Sequence, residues 1–339
     1  MMAKKNSLSP EDMILTVAES VPTVSNLDSL MKELAKKGYN VKMASDIKDD
    51  PKVRTGLMAL DEVLGGGIAV CEGGHRIEFF GGESSCKSTF ALFCIKRFQE
   101  LNKKCCYIDA ERSFDTDWAT HIGVDCDKLL VVTPETLEQF GDIVTVLINE
   151  MDLIVVDSIV TMIAETETER DTNEATMGTA ARVNALITRK IYHASSKSKC
   201  ATIFINQLRE KIGVLYGSPN TTGGGHALKH LYNTRVEFRA GKPIMEKEER
   251  IGIEINLKNV KNKRGKPNNT AIVDFYLEGR IDNIKTMFYQ GVKHAVILKS
   301  GGWYEFDGVK MLGEENFCKA LTPAQLQKLE DEIWKLKGK

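Results

Sequence analysis

Residues 77–89 read IEFF-GGESSCKST, an apolar run that stops at Gly81 and Gly82 and resumes as Lys87-Ser88-Thr89. The stretch that follows, FALFCIKRF (Phe90–Phe98), has the apolar content of a largely buried helix. Strand, glycine-led turn and helix in that order match the pattern Gly, four residues, Gly, Lys, Ser or Thr of a phosphate-binding loop. Gly81, Lys87 and Ser88 fit the pattern, and Cys86 stands where its second glycine belongs. Successive backbone N–H groups can wrap a polyphosphate only where side chains stay clear, and a helix N-terminus adds positive potential. Lys87 supplies a charge for the outer phosphates and Ser88 a hydroxyl ligand for Mg²⁺.

Cys86 carries two expectations. Glycine tolerates positive φ and close approach, so a Cβ here is expected to crowd or strain the loop. The thiol has either a plain packing role or a reactive one. Lys87 and the helix N-terminus both lower a thiol's pKa, and modification would then block nucleotide binding.

The 339 residues suffice for two or three domains. A net charge of −1 requires any nucleic-acid site to be local. No run reaches membrane-spanning length, and the start MMAKKNSLSPED lacks a signal-peptide core, so a cytoplasmic location is expected. The eight cysteines form no CxxC pair, which suits reduced, mostly buried thiols. Cys105 and Cys106 are adjacent on an apparent strand and are expected to face opposite sides. The six histidines show no metal-ligand spacing.

Residues 1–50 are polar around one helical patch, Leu27–Gly38. From residue 55 strands alternate with helices: Ile77–Phe80, Cys105–Asp109, Leu129–Val132, Leu153–Asp157 and Thr202–Asn206, with helices including Leu137–Asn149 and Gly178–His193. That alternation predicts a mainly parallel sheet covered by helices. Arg235–Arg239, Ile251–Val260 and Ala271–Tyr276 follow turn-rich links and read as antiparallel. A mixed segment from about 280 ends in a helix, Pro323–Lys337, with a basic tail.

Three strands end in residues suited to phosphoryl chemistry. LIVVDS places Asp157 at a strand's carboxyl end, where open α/β sheets bind ligands and where a P-loop's Mg²⁺-side acid sits. YIDAE places Glu111 beyond another strand, able to orient or deprotonate a water. FINQ places Gln207 at the same edge, followed by the long glycine-rich LREKIGVLYGSPNTTGGGHALKH. An amide joined to such a loop suggests nucleotide-gated binding. The plain alternative for each acid is a helix cap or solvated strand end.

Together, GGESSCKST, YIDAERSFD, LIVVDS, MGTAARVNALITRK, IFINQLREKIGVLYGSPNTTGGGHALK and VKNK resemble the RecA-type recombinases over roughly residues 50–310. The GGWYEFDG run resembles that family's C-terminal domain. The resemblance implies an α/β fold. A RecA-like P-loop core with a mainly parallel central sheet (51–280) lies between a short N-terminal helical polymerisation segment (1–50) and a small α+β DNA-binding C-terminal domain (281–339). It implies a DNA-dependent ATPase that forms helical filaments of itself on single-stranded DNA, pairs with homologous double-stranded DNA and exchanges strands, without a membrane. ATP and Mg²⁺ are the implied cofactors.

By position, Gly81, Gly82, Glu83, Ser84, Ser85, Cys86, Lys87, Ser88 and Thr89 would hold phosphates, with Ser88 and Asp157 on the metal side. Glu111 would be the catalytic carboxylate, assisted by Lys87 and by Gln207 as γ-phosphate sensor. Asp115 and Trp118 would lie by the adenine, where an aromatic ring can stack. Lys261 and Lys263 look like the family's lysines that reach ATP bound by the adjoining subunit.

The two DNA loops map to about 165–177 and 208–225. DNA contacts match Met177, Arg182, Arg189, Arg209, Lys211, Gly224 and Gly225, which suit phosphate neutralisation, close approach and base wedging. Solvated surface is the plain reading of any one basic residue. Cys86, His226, His230, Leu231, the acidic ETETERDT and the absent acidic tail depart from the family pattern. They imply a divergent, phage-encoded member acting in a host cytoplasm. A filament protein that binds ATP and DNA but hydrolyses little because of Cys86 is the alternative. A ring-forming helicase or branch-migration relative is disfavoured by the lack of matching extra modules.

Overall fold

A computed structural model describes residues 24–47, 50–158, 162, 164–165, 177–210, 220–222 and 225–337. The chain divides into two units, Met1–Asp49 and Asp50–Lys339. In the first, helix α1 (Val24–Lys36) ends at a basic last turn, and Gly38 turns the chain out at φ 83°. A positive φ there suits glycine. The helix starts three residues before the predicted patch.

In the second unit the elements run β1 (Lys52–Val53), α2 (Met58–Leu64), β2 (Ile68–Ala69), β3 (His75–Gly81), α3 (Lys87–Glu100), β4 (Cys105–Asp109), α4 (Thr116–Ile122), β5 (Leu129–Val132), α5 (Leu137–Leu147), β6 (Leu153–Asp157), α6 (Met177–Ser195), β7 (Ala201–Glu210) and β8 (Asn220–Thr222). They continue α7 (Gly225–Leu231), β9 (Thr234–Glu246), β10 (Glu249–Asn262), β11 (Thr270–Tyr276), β12 (Arg280–Ile281), α8 (Asn283–Lys293), β13 (Leu298–Ser300), β14 (Trp303–Phe306), β15 (Val309–Leu312), α9 (Glu314–Ala320) and α10 (Pro323–Leu336).

The IEFF run forms β3, buried along its whole length because it lies mid-sheet. Strand order is β12-β11-β10-β9-β3-β7-β6-β4-β5, with β8 paired to β7. From β9 to β5 all pairings on this path are parallel; β10, β11 and β12 are antiparallel. The sequence reading of β9 as antiparallel is half right. It pairs antiparallel with β10 but parallel with β3, because α7 carries the chain back to the starting edge before β9 begins.

Parallel sheets need both faces covered. One face packs on α2, α3 and α4 through Leu60, Phe90, Ile95 and Ile122; the other packs on α5, α6 and α7 through Phe140, Ile187 and Leu228. Cys105 joins the first core and Cys106 the second, as the strand alternation requires. All eight cysteines are free thiols. Phe79, Phe90 and Phe238 meet in one aromatic cluster, with ring centroids 4.9 and 5.3 Å from Phe238. A third core joins Met58 to Phe288, Phe306, Phe317, Ile333 and Trp334 around the antiparallel β13–β15 sheet. Among the described residues no helix is long and apolar enough to cross a membrane.

Candidate nucleotide site

The loop between β3 and α3 is shaped by two requirements. Gly81 lies level with Phe238 on β9 and with Gln207 on β7, and a Cβ at 81 would collide with the Phe238 carbonyl oxygen. Glycine is therefore required where the loop leaves the strand. Five residues on, Cys86 is the N-cap of α3 at φ 63°, ψ 19°, and Ser84 is also left-handed at φ 54°. The cysteine thus adopts the backbone that a glycine would take, at a cost of about 1–2 kcal/mol for an L-residue. The strain is stored at residue 86. The half-buried Cys86 thiol is pushed up to about 11 by burial, which outweighs the opposing pull of Lys87. That corrects the expectation of an activated thiol: desolvation of the thiolate dominates.

Lys87 is 7% exposed. Its ammonium donates to the Gly82 carbonyl at 2.6 Å, to Ser85 Oγ at 3.2 Å and to the Gly81 carbonyl at 3.4 Å. Ser85 Oγ in turn donates to the Gly82 carbonyl at 2.8 Å. Burial pulls the lysine below its usual range and Asp157 works against that pull. Among the described residues no carboxylate forms an ion pair with it. A buried cation satisfied only by neutral oxygens, beside a helix N-terminus, is a donor set that fits a polyphosphate.

The acidic side is built by β6 and β4, whose ends are in register at Asp157 and Asp109. Asp157 Oδ2 accepts from Ser88 Oγ at 2.7 Å and from the Tyr107 hydroxyl at 2.8 Å. Burial raises its pKa, and these two hydrogen bonds oppose the rise. A hydroxyl and a carboxylate held together are hard oxygen ligands of the kind Mg²⁺ takes. Glu111 Oε1 accepts from Ser158 Oγ at 2.6 Å, and the Glu111 backbone N–H donates to the Asp157 carbonyl at 3.3 Å. Asp109 accepts from the N–H groups of Ser113 and Phe114 at 3.1 and 3.0 Å. Gln207, half-buried, is brought to the same edge by its register with Gly81.

Asp115 caps α4 by accepting from the Trp118 N–H at 2.9 Å. The Trp118 ring stacks on His121 at 5.5 Å and 18°, and α4 packs against α3. Lys261 pairs in register with Arg235, which is level with Glu78, whereas Gly81 is level with Phe238. Lys261 is thus level with the middle of β3, and Lys263, whose N–H donates to the Asn233 carbonyl, lies nearer the start of that strand. Arg182 and Arg189 are exposed on α6, which begins at Met177, and Gly225 opens α7. Met177 and Arg209 are described by backbone alone; Lys211 and Gly224, with most of both predicted DNA loops, lie outside the described residues.

Sequence reasoning missed Tyr107 and Ser158, which hold the two acids. Strand alternation gives Tyr107 a face but cannot name its partner, and Ser158 carries no pattern.

A family model for the RecA N-terminal domain matches residues 25–282. The chain is 38% identical over 292 residues to "Protein RecA" of Rickettsia bellii, covering 85% of this chain and 84% of that one. It is 37% identical over 298 residues to "Protein RecA" of Frankia alni, covering 86% and 85%. It is 40% identical over 296 residues to "Protein RecA" of Petrotoga mobilis, covering 85% and 79%. With the family model and these relatives covering most of its length, the chain belongs to the RecA family.

Proposed function

We propose that this recombinase binds ATP with Mg²⁺ in the β3–α3 loop and hydrolyses it on single-stranded DNA. It does so as a helical filament of its own copies that pairs homologous duplex and exchanges strands. The observation that carries the reading is the buried Lys87, without a carboxylate partner among the described residues, beside the joined Ser88–Asp157 and Glu111–Ser158 pairs.

Residues 81–89 would hold the phosphates, and Ser88 with Asp157 the metal side. Bound Mg²⁺ supplies neutralisation of charge on the phosphates. Lys87 has donors to redirect from the loop carbonyls, and Ser88 is pre-oriented by Asp157. Glu111, held by Ser158, is placed to orient a water and accept its proton. Gln207 senses the outer phosphate next to Gly81, and Asp115 and Trp118 flank the base. Lys261 and Lys263 act on the site of the adjoining copy. Met177, Arg182, Arg189, Arg209, Lys211, Gly224 and Gly225 contact DNA. Residues 1–50 serve polymerisation, 51–280 the ATPase core and 281–339 DNA binding.

The low-turnover alternative gains no support, because Cys86 takes the left-handed conformation rather than displacing the loop. The test is ATP hydrolysis with and without single-stranded DNA. Stimulation by DNA in the parent, and a fall of about 10²–10⁴-fold in Glu111→Gln, are expected. Hydrolysis indifferent to DNA would overturn the reading.

A further inference from the structure

Helix α7 has seven residues, too few to be stable alone. Its last carbonyls are held by two cations from the sheet. Lys261 Nζ, on β10, donates to the Lys229 carbonyl at 2.7 Å, and Arg76 Nε, on β3, donates to the Leu231 carbonyl at 2.9 Å. The Arg76 guanidinium also lies 5.1 Å over the Tyr192 ring near the end of α6. Cations at a helix C-terminus satisfy orphan carbonyls and oppose the helix dipole. The helices that begin at Met177 and Gly225 are thus tied together at their other ends.

The two lysines of the VKNK motif do not share this environment. Lys261 is half-buried and burial lowers its pKa, whereas Lys263 is exposed and its backbone N–H donates to the Asn233 carbonyl at 2.9 Å. The ends of β10 and β9 are braced from within. Ala69 N–H donates to His75 Nδ1 at 3.0 Å, so the ring's proton is on Nε2, which donates to Thr234 Oγ1 at 2.8 Å. Asn262 Oδ1 then accepts from Thr234 Oγ1 at 3.3 Å and from the Arg264 N–H at 2.8 Å. Lys261 is held in register by this frame, and its ammonium is the part free to change acceptor.

We propose that Lys261 is a positioning residue with two acceptors. One is the Lys229 carbonyl of its own α7; the other is the phosphate of nucleotide bound by the adjoining copy. Nucleotide in one copy thereby changes the hold on the helix that begins at Gly225 in the next. The proposal rests on the reading above that the VKNK lysines act between copies. An ammonium meets a phosphate as a charge-assisted pair, stronger than its bond to a neutral carbonyl, so the phosphate draws it off the helix end. Lys263, without that carbonyl, contributes charge alone.

The test compares Lys261→Met, Lys261→Arg and Lys263→Met. In the nucleotide-free protein, amide hydrogen exchange across 225–231 is expected to quicken about tenfold in Lys261→Met, the loss of one charge-assisted hydrogen bond. It stays near the parent rate in Lys261→Arg, which keeps a donor, and in Lys263→Met. The second measurement is affinity for fluorescent oligothymidylate without nucleotide and with a saturating non-hydrolysable ATP analogue. The nucleotide-induced gain is expected to shrink about tenfold in Lys261→Met and to persist in Lys261→Arg, which keeps both donor and charge. Unchanged exchange in Lys261→Met, or exchange quickened equally in Lys261→Met and Lys263→Met, overturns the proposal while leaving the reading between copies standing. A nucleotide-induced gain unchanged in both Met variants overturns that reading and the proposal together.

Discussion

Cys86 shows how one residue can depart from a motif without breaking it. The loop asks residue 86 for φ near 63°, and cysteine complies. Cys86→Gly removes left-handed strain of about 1–2 kcal/mol but returns about 0.4–1 kcal/mol of unfolded-chain entropy. The expected outcome is a gain of up to about 1 kcal/mol in urea unfolding, with ATP binding kept. A loss of stability would show that the Sγ packing outweighs the strain. With its thiol raised to about 11, Cys86 is expected to alkylate more slowly than a free thiol at pH 8. An accelerated rate there would restore the activated-thiol reading. Asp61 carries the clearest pH signature. Its buried carboxyl, accepting from the Thr55 N–H at 2.8 Å and from Thr55 Oγ1 at 2.9 Å, is raised by burial from 3.8 to about 7. The folded state then binds more protons than the unfolded chain between pH 4 and 7, so this group's stability is present below pH 4 and lost as pH rises through 7. Asp61→Asn keeps an acceptor and removes the titration. Relative to it, the parent is expected to lose up to about 1.4 kcal/mol per pH unit across that window, read as urea midpoints at successive pH values.

At the scale of elements, what the sequence shows depends on how an element is stabilised. Strands β4 and β6 were legible to the residue because a short central parallel strand is an uninterrupted apolar run, and edge strand β5 because its four residues are apolar although Leu130 and Val131 are exposed. β7, β9 and β10 run several polar residues beyond their apolar cores, to Glu210, Glu246 and Asn262, because ladder hydrogen bonds rather than burial extend them. The parallel pairing of β9 with β3 was hidden for a similar reason: pairing partners lie far apart in sequence. The site divides the same way. Gly81, Lys87, Ser88, Asp157, Glu111 and Gln207 were visible as strand-end chemistry, whereas the Tyr107 hydroxyl on Asp157 and the Lys229 carbonyl under Lys261 exist only after packing. Helix α10 starts at Pro323 as expected, its start fixed by a Thr322–Gln325 capping box, and ends at Leu336, one residue short of the expected Lys337. Its Trp334 is 1% exposed, with Arg54 at 5.3 Å and Lys337 at 5.1 Å from the ring. Trp334→Ala is expected to cost about 3–5 kcal/mol by leaving a cavity. Trp334→Phe should cost much less, since it keeps a ring and removes an indole N–H that has no hydrogen-bond partner among the described residues. Equal urea midpoints for the two variants would count against this packing account.

At the scale of the whole molecule, the proposed ATP site is divided between two copies. The β3–α3 loop lies at the carboxyl ends of the parallel strands, while Lys261 is level with Arg235 and Glu78, at the middle of β3 and two strands away from it. On that reading the phosphate loop of one chain meets the lysines of the next, a head-to-tail contact that repeats instead of closing on itself. If catalysis needs both halves, two crippled chains should complement. A Lys87→Ala chain retains its lysine pair, and a Lys261→Ala/Lys263→Ala chain retains its loop. Each alone is expected to hydrolyse almost no ATP on single-stranded DNA. Mixed in equal amounts, a random interface joins an intact loop to intact lysines in roughly one case in four, so turnover per chain should recover to about a quarter of the parent's. Because complementation arises between different chains, it cannot come from residual activity of either variant. The recovery should vanish when one partner is in large excess, since intact half-sites then rarely meet. A mixture no more active than the sum of its parts would confine both halves of the site to a single chain.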